Sequence, residues 1–293
     1  MSNPTKLLPA KFLLPTLLLL ALFFGGAYAE DGDIKWEDAS KEVDYLPYPQ
    51  TFIDSVENHL RVNRVRGALQ KVKAGSFSKG EKLVYEIVWG PFKAGYVILN
   101  AQPHPQTGTI RLGAKAVSNN FVSAFYKMRD YIISWVDAEG LYPHFFEQHL
   151  REGKYKMDGF ILYDNVGEKV FVQEKKSRVF RAPKFTHDYI SVLYYVRSME
   201  LKKGDQFSIN MFIHSKIHPI RFNIRGKEDV EVTAGKFRCI KLEPKLAGKG
   251  RAFTKKDKMQ VWLTDDKHKI PVMIKSKIKV GSITAKLIHY EQN

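Results

Sequence analysis

The stretch that most constrains this chain is residues 272–280, where side-chain character alternates without a break. Val272, Ile274, Ser276, Ile278 and Val280 fall on one face, and Met273, Lys275, Lys277 and Lys279 on the other. Successive side chains of a strand point to opposite faces, so a period of two marks a half-buried strand. Gly281-Ser282 leads into a second run, residues 283–290. Glycine at the first central position suits a type II′ turn, whose twist matches that of the strands it joins. Such a turn pairs Val280 with Ile283, Ile278 with Ala285 and Ser276 with Leu287. The end of the chain therefore predicts an antiparallel sheet, apolar on one face and lysine-rich on the other.

The same period recurs upstream. Residues 82–89 place Leu83, Tyr85, Ile87 and Trp89 on one face, and residues 129–137 do so with Tyr131, Ile133 and Trp135. Further strand-like runs occupy 94–101, 109–118, 141–151, 154–163, 169–174, 206–214, 216–225, 229–232 and 237–242, with turn residues such as Gly90-Pro91 and Ala138-Glu139-Gly140 between them. Helical spacing occurs at 187–199 and at 51–72. The second carries Phe52, Ile53, Val56, Leu60, Val65, Leu69 and Val72 on one stripe, opposite Arg61, Arg64, Arg66 and Lys71. Such a stripe packs on its own domain more often than on a membrane. Residues 120–127 read as a short helix or a crossing loop. Flat sheets of about ten strands are rare. The expectation is a mainly β protein: a curved antiparallel sheet forming a half-barrel or barrel, with one inserted helix and an N-terminal helical extension. Its divisions are a targeting segment (1–29), a leader with an amphipathic helix (30–75) and an antiparallel β domain (76–293).

The targeting segment rests on Lys6 and Lys11, an apolar run over 12–24 and the small-x-small site Ala27-Tyr28-Ala29. The run is shorter than the roughly 20 apolar residues of a membrane span, and no later stretch is long and apolar enough to cross. The reading is export to the periplasm. One cysteine, Cys239, rules out an intramolecular disulfide and reads as a buried small hydrophobe. Charge then limits the partners. Forty-seven Lys and Arg stand against 31 Asp and Glu, a net of +16. A basic exported chain points to anionic lipid or glycan, or to an envelope protein partner. The export signal and the lack of a recognition motif argue against nucleic acid.

The sequence carries no recognisable catalytic, metal or cofactor site. There is no G-x-S-x-G elbow. Ser191 lies near His187 and Asp188, but on one short helix they are not placed as nucleophile, base and orienter. His214 and His218 share a strand face without a third ligand. Gly248-Lys249-Gly250 lacks phosphate-loop spacing. Glu86, Asp130, Asp137, Glu147 and Asp164 are scattered over strands, and sequence does not give their separations. Aromatic strand residues stand out: Tyr85, Trp89, Tyr96, Tyr131, Trp135, Tyr163 and Trp262. They either fill a core or line a cavity for an apolar ligand. Lys275, Lys277, Lys279 and Lys286, with the basic loop 249–258, are the candidate contacts for an anionic headgroup.

Several motifs together resemble a known family. They are Gly80-Glu81-Lys82-Leu83-Val84-Tyr85 with Ala94-Gly95, the helix Asp188-Tyr189-Ile190-Ser191-Val192-Leu193-Tyr194-Tyr195-Val196-Arg197, and Ala234-Gly235-Lys236-Phe237. Val261-Trp262-Leu263-Thr264-Asp265-Asp266, Ile270-Pro271-Val272 and Gly281-Ser282 complete the set. Over residues 76–290 the chain resembles the bacterial domain of unknown function 3108. The resemblance implies an exported, mainly β protein with no established enzymatic activity. More distantly, the Trp-x-x-Asp strand followed by Ile-Pro resembles the LolA-type lipoprotein-carrier half-barrels. The expected function is non-catalytic binding of an apolar or amphipathic envelope component. The alternatives are an enzyme acting on envelope polysaccharide or lipid, and a structural or assembly partner. What fills the inside of the sheet discriminates among them.

Overall fold

The structure, a computed structural model, describes residues 37, 50–63, 72, 75–174, 176–246, 259–277 and 281–292. Helix α1 (Gln50–Asn63) and a 3-10 turn (Ser76–Ser78) precede the sheet. The first meander is β1 (Glu81–Trp89), β2 (Phe92–His104), β3 (Thr109–Ser118), β4 (Arg129–Asp137), β5 (Pro143–Glu152), β6 (Tyr155–Asp164), β7 (Lys169–Gln173) and β8 (Ser177–Arg181), with α2 (Asn120–Tyr126) between β3 and β4. Helix α3 (Ser191–Ser198) leads into the second: β9 (Gln206–Ile213), β10 (Lys216–Val232), β11 (Gly235–Leu246), β12 (Met259–Thr264), β13 (Pro271–Lys277) and β14 (Ser282–Gln292).

All fourteen strands form one antiparallel sheet in the order β8-β7-β6-β5-β4-β3-β2-β1-β14-β13-β12-β11-β10-β9. The sheet curls until its two outer strands face each other. Phe180 of β8 and Phe212 of β9 bring their rings to 5.3 Å. No ladder joins these strands, so the sheet is not closed into a barrel. The segment before α3 lies along β9 instead: His187 N–H donates to the Asn210 carbonyl (2.8 Å), and Phe212 N–H donates to the His187 carbonyl (2.9 Å).

The half-barrel holds α3 on its concave side. Ile190, Val192, Tyr194 and Val196 join one buried cluster with Leu83, Leu112, Ile132, Phe146 and Leu263 from the sheet. Helix α1 lies on the convex side, where Val56 and Leu60 pack on Ile133, Trp135 and Phe145. Both helices obey the same rule, an apolar stripe set against an apolar sheet face.

Several expectations change in detail. Strand β8 goes unpredicted because it is an edge strand with four of its five residues exposed, so no alternation of burial marks it. The runs 216–225 and 229–232 form the single strand β10, which absorbs Gly226 in a register shift against β11. The inserted helix, expected over 187–199, covers only Ser191–Ser198, about two turns. The closing hairpin pairs Ser276 with Ile283, not with Leu287. That slip of four residues is even, so Ile274 and Ser276 keep one face and Lys275 and Lys277 the other, whereas Val272, at a register shift against β12, packs with Trp262 instead. Val272, Ile274 and Ser276 are buried, and Lys275 and Lys277 exposed. Gly95, from the family motifs, leaves β2 no room for a side chain against β3: a Cβ there would sit 2.0 Å from the Val117 carbonyl oxygen.

Candidate functional site: the concave face

Helix α3 is tied at both ends. At its start, the Asp188 carboxylate accepts the N–H groups of Ile190 and Ser191, each at 2.8 Å, and the Ser134 hydroxyl of β4 at 2.5 Å. A short acceptor that satisfies the first free N–H groups is a helix cap. At its end, the Arg197 guanidinium forks onto the Glu81 carboxylate of β1 at 2.7 and 2.6 Å. Both side chains of this pair are fully buried. The guanidinium also stacks on Phe77 (5.0 Å) and Tyr194 (4.8 Å) and donates to the His268 carbonyl (3.2 Å). Beside it the Tyr85 hydroxyl donates to the Pro271 carbonyl at 2.7 Å. Glu81, Tyr85, Asp188, Arg197 and Pro271 all belong to the resemblance motifs. They meet as one strut across the concave face.

The seven aromatic candidates do not share a surface. Tyr85, Trp89 and Tyr163 belong to the concave cluster. Tyr96 lies with Val84, Ile98 and Val117 on the opposite face. Tyr131 and Trp135 pack in the cluster under α1, and Trp262 packs with Val230, Cys239 and Val272. Lys275 and Lys277 are exposed on the convex face, away from the concave aromatics. Lys286, half-buried, also faces outward, and its strand neighbour is Glu86. Lys279 and the loop 249–258 lie outside the described residues. Spacing assigns faces within a strand, whereas the relation between strands depends on register.

The titratable groups are mostly committed to local structure. Glu86 pairs with Lys93 at 2.8 Å. Asp137 and Asp164 accept turn N–H groups from Gly140 (2.8 Å) and Gly167 (2.7 Å). Glu147 sits 3.6 Å from His149. Asp130 differs. Its carboxyl accepts the Arg151 N–H (2.8 Å) and lies beside that of Glu152, which accepts the Tyr126 hydroxyl at 3.0 Å. Burial, and then the neighbouring Glu152, push Asp130 up to about 8. Glu152 ends β5, a strand of mixed polarity, and no sequence signal marks it as a partner. Ser191 does meet His187: its Oγ lies 3.1 Å from Nδ1 and accepts the Asp188 N–H at 3.0 Å. Asp188 faces the helix N–H groups instead of orienting the imidazole, and burial pushes His187 down to about 3. The Ser–His contact is sealed in the core. Cys239 is buried, and burial pushes its thiol up to about 12.

The fold and this strut define a class of mainly β proteins in which a curled antiparallel sheet wraps a tethered helix. The chain belongs to the family described as protein of unknown function (DUF3108), whose model matches residues 84–288. Among solved structures, it superposes on a β-barrel-like protein of domain of unknown function DUF1849 from Brucella abortus, with TM-score 0.53 and 9% identity over 73% of this chain and 98% of that one. That likeness is one of fold. A candidate exported protein with a YmcC-like fold from Bacteroides fragilis aligns at TM-score 0.28 and 10% identity, over 72% of this chain and 95% of that one. Among curated proteins, none matches the chain.

Proposed function

We propose that the protein is a non-catalytic periplasmic binding protein for an apolar or amphipathic envelope component, a lipid or lipid-linked glycan. The observation that carries this reading is the concave wall. Partly buried apolar side chains, among them Trp89, Phe121, Met157, Phe180, Tyr189 and Leu193, lie against the buried cluster. Apolar surface with few convergent polar groups suits an acyl chain. The middle of the half-barrel is occupied by α3, so the ligand lies alongside the helix and does not replace it. Export rests on the sequence of residues 1–29. In keeping with it, no helix among the described residues is long and apolar enough to cross a membrane.

Native mass spectrometry after gentle extraction tests the reading. The expected result is a co-purifying lipid mass, lost in Leu193→Arg while the fold is retained by circular dichroism. A wild-type chain that carries no lipid and takes up no fluorescent fatty acid after delipidation overturns it.

A further inference from the structure

Every neighbouring strand pair is antiparallel, so connections alternate between the two ends of the sheet. The links β1–β2, β3–β4, β5–β6, β7–β8, β9–β10 and β13–β14 all fall at one end. That end is strongly basic. Lys127, Lys154, Lys156, Lys216, Lys275 and Lys277 are exposed there, and none forms an ion pair with a described residue. The acidic groups at this end are already engaged. Asp130 and Glu152 are buried, and they accept the Arg151 N–H and the Tyr126 hydroxyl. Glu174 holds Arg178 at 3.1 Å, and Asp158 holds Arg151 at 2.7 Å. At the opposite end acids and bases intermingle: Glu139, Glu168 and Asp205 stand among Lys169, Lys202 and Lys236. Charge is thus separated along the strand axis, although neither the composition nor any single strand reveals it.

The basic end also exposes aromatic surface. Phe92, in the β1–β2 turn region, is 47% exposed and stacks on Phe121 of α2 at 6.0 Å. Tyr155, at the β5–β6 turn, is 40% exposed. Exposed aromatics beside lysines are what a lipid headgroup interface accommodates, ring in the boundary and charge on the phosphates. An acidic glycan needs only the lysines. Fourteen strands at about 4.8 Å spacing give roughly 65 Å of arc, so the lysines are spread around a rim. Charges so spread act together only on an extended surface that meets the rim end-on, because screening removes contributions beyond about 8 Å.

We propose that this rim is the face by which the protein docks on an anionic phospholipid bilayer. The proposal rests on the binding-protein reading only for the compartment in which docking occurs. The test is co-sedimentation of the mature chain with vesicles of phosphatidylcholine alone, or with a third of phosphatidylglycerol. The anionic vesicles should bind it, more weakly as salt rises. Lys154→Glu, Lys156→Glu, Lys275→Glu and Lys277→Glu together should weaken binding at least tenfold, given about fivefold per lysine near a charged surface. A control with the same charge change at the other end, Lys169→Glu, Lys202→Glu, Lys203→Glu and Lys236→Glu, should lose less than threefold. Equal losses in the two variants overturn the proposal, as does a wild type that ignores anionic vesicles or binds heparin beads but no vesicles. Lipid occupancy by mass spectrometry reads the concave face separately, so a failed rim and an empty interior give different results.

Discussion

The two helix–sheet junctions of this protein are built on opposite physical plans. Helix α3, on the concave side, is held by charge: a buried Glu81–Arg197 fork at one end and the Asp188 cap at the other. Helix α1, on the convex side, is held by Val56 and Leu60 and by His59, an imidazole that bonds in its neutral form. The family match spans α3 and leaves α1 outside. A charged pair in a core adds little net stability, yet it specifies one register, because losing either partner leaves a bare charge. An apolar stripe docks a helix without fixing its register so strictly. The expectation is that the inner helix unfolds with the sheet, whereas the outer one opens locally.

Breaking the inner strut should have the largest effect. Glu81→Gln leaves Arg197 buried without a counter-charge, which costs about 3–5 kcal/mol. Urea melts should show that loss across the whole sheet. Replacing both partners, Glu81→Leu with Arg197→Met, should recover most of it. If Glu81→Gln melts like the wild type, the strut does not hold α3. Leu60→Ala, on the outer helix, removes a buried side chain worth about 2–5 kcal/mol. Here the expected loss is local. Hydrogen exchange of α1 amides should accelerate while the sheet melts nearly unchanged. A global loss of the same size would erase the distinction between the junctions.

Much of this architecture is legible in the residues, because a half-buried strand writes its face into a period of two. Leu83, Tyr85 and Ile87 fall on the concave side together, and Lys275 and Lys277 on the convex side. The family motifs locate the strut residues but not their meeting: Glu81 and Arg197 stand 116 positions apart and touch only through the curl of the sheet. The candidate site scatters for the same reason. Trp135 and Tyr163 look alike in sequence, yet they lie on opposite faces of neighbouring parts of one sheet. The basic rim is invisible for a further reason. It is assembled from the ends of many strands, each contributing one or two lysines.

The two faces also respond oppositely to pH and weaken at opposite ends of the scale. On the inner face Asp130 is raised to about 8 from an ordinary 3.8. A raised carboxyl favours folding while protonated. Its contribution is complete below about pH 4 and is lost as pH climbs toward 8, at up to about 1.4 kcal/mol per unit. Asp130→Asn keeps the acceptor for Arg151 N–H and offers Glu152 a permanent donor. Its stability should exceed that of the wild type at pH 8, and the gap should close toward pH 5. A gap that does not change with pH would show that Asp130 and Glu152 do not share a proton.

The outer face should show the smallest effect, in the opposite direction. His59 Nε2–H donates to the Tyr163 carbonyl at 3.2 Å, and Nδ1 accepts the Asn63 amide at 2.8 Å. Both nitrogens are used by the neutral ring, and protonation would set a second N–H against a donor. Burial, then His144, push His59 down to about 4 from 6.5. A lowered imidazole contributes nothing unfavourable above pH 6.5 and costs stability as pH falls from there toward 4. The half-buried position limits that cost to about 1–2 kcal/mol. Exchange of α1 amides should therefore quicken between pH 6.5 and 4, after correction for intrinsic rates, while sheet amides stay protected. His59→Gln, which retains a donor and an acceptor but cannot charge, should remove that dependence. If the α1 amides of His59→Gln still lose protection over the same range, the junction is released by another group, and the outer helix is held as the inner one is, by charge.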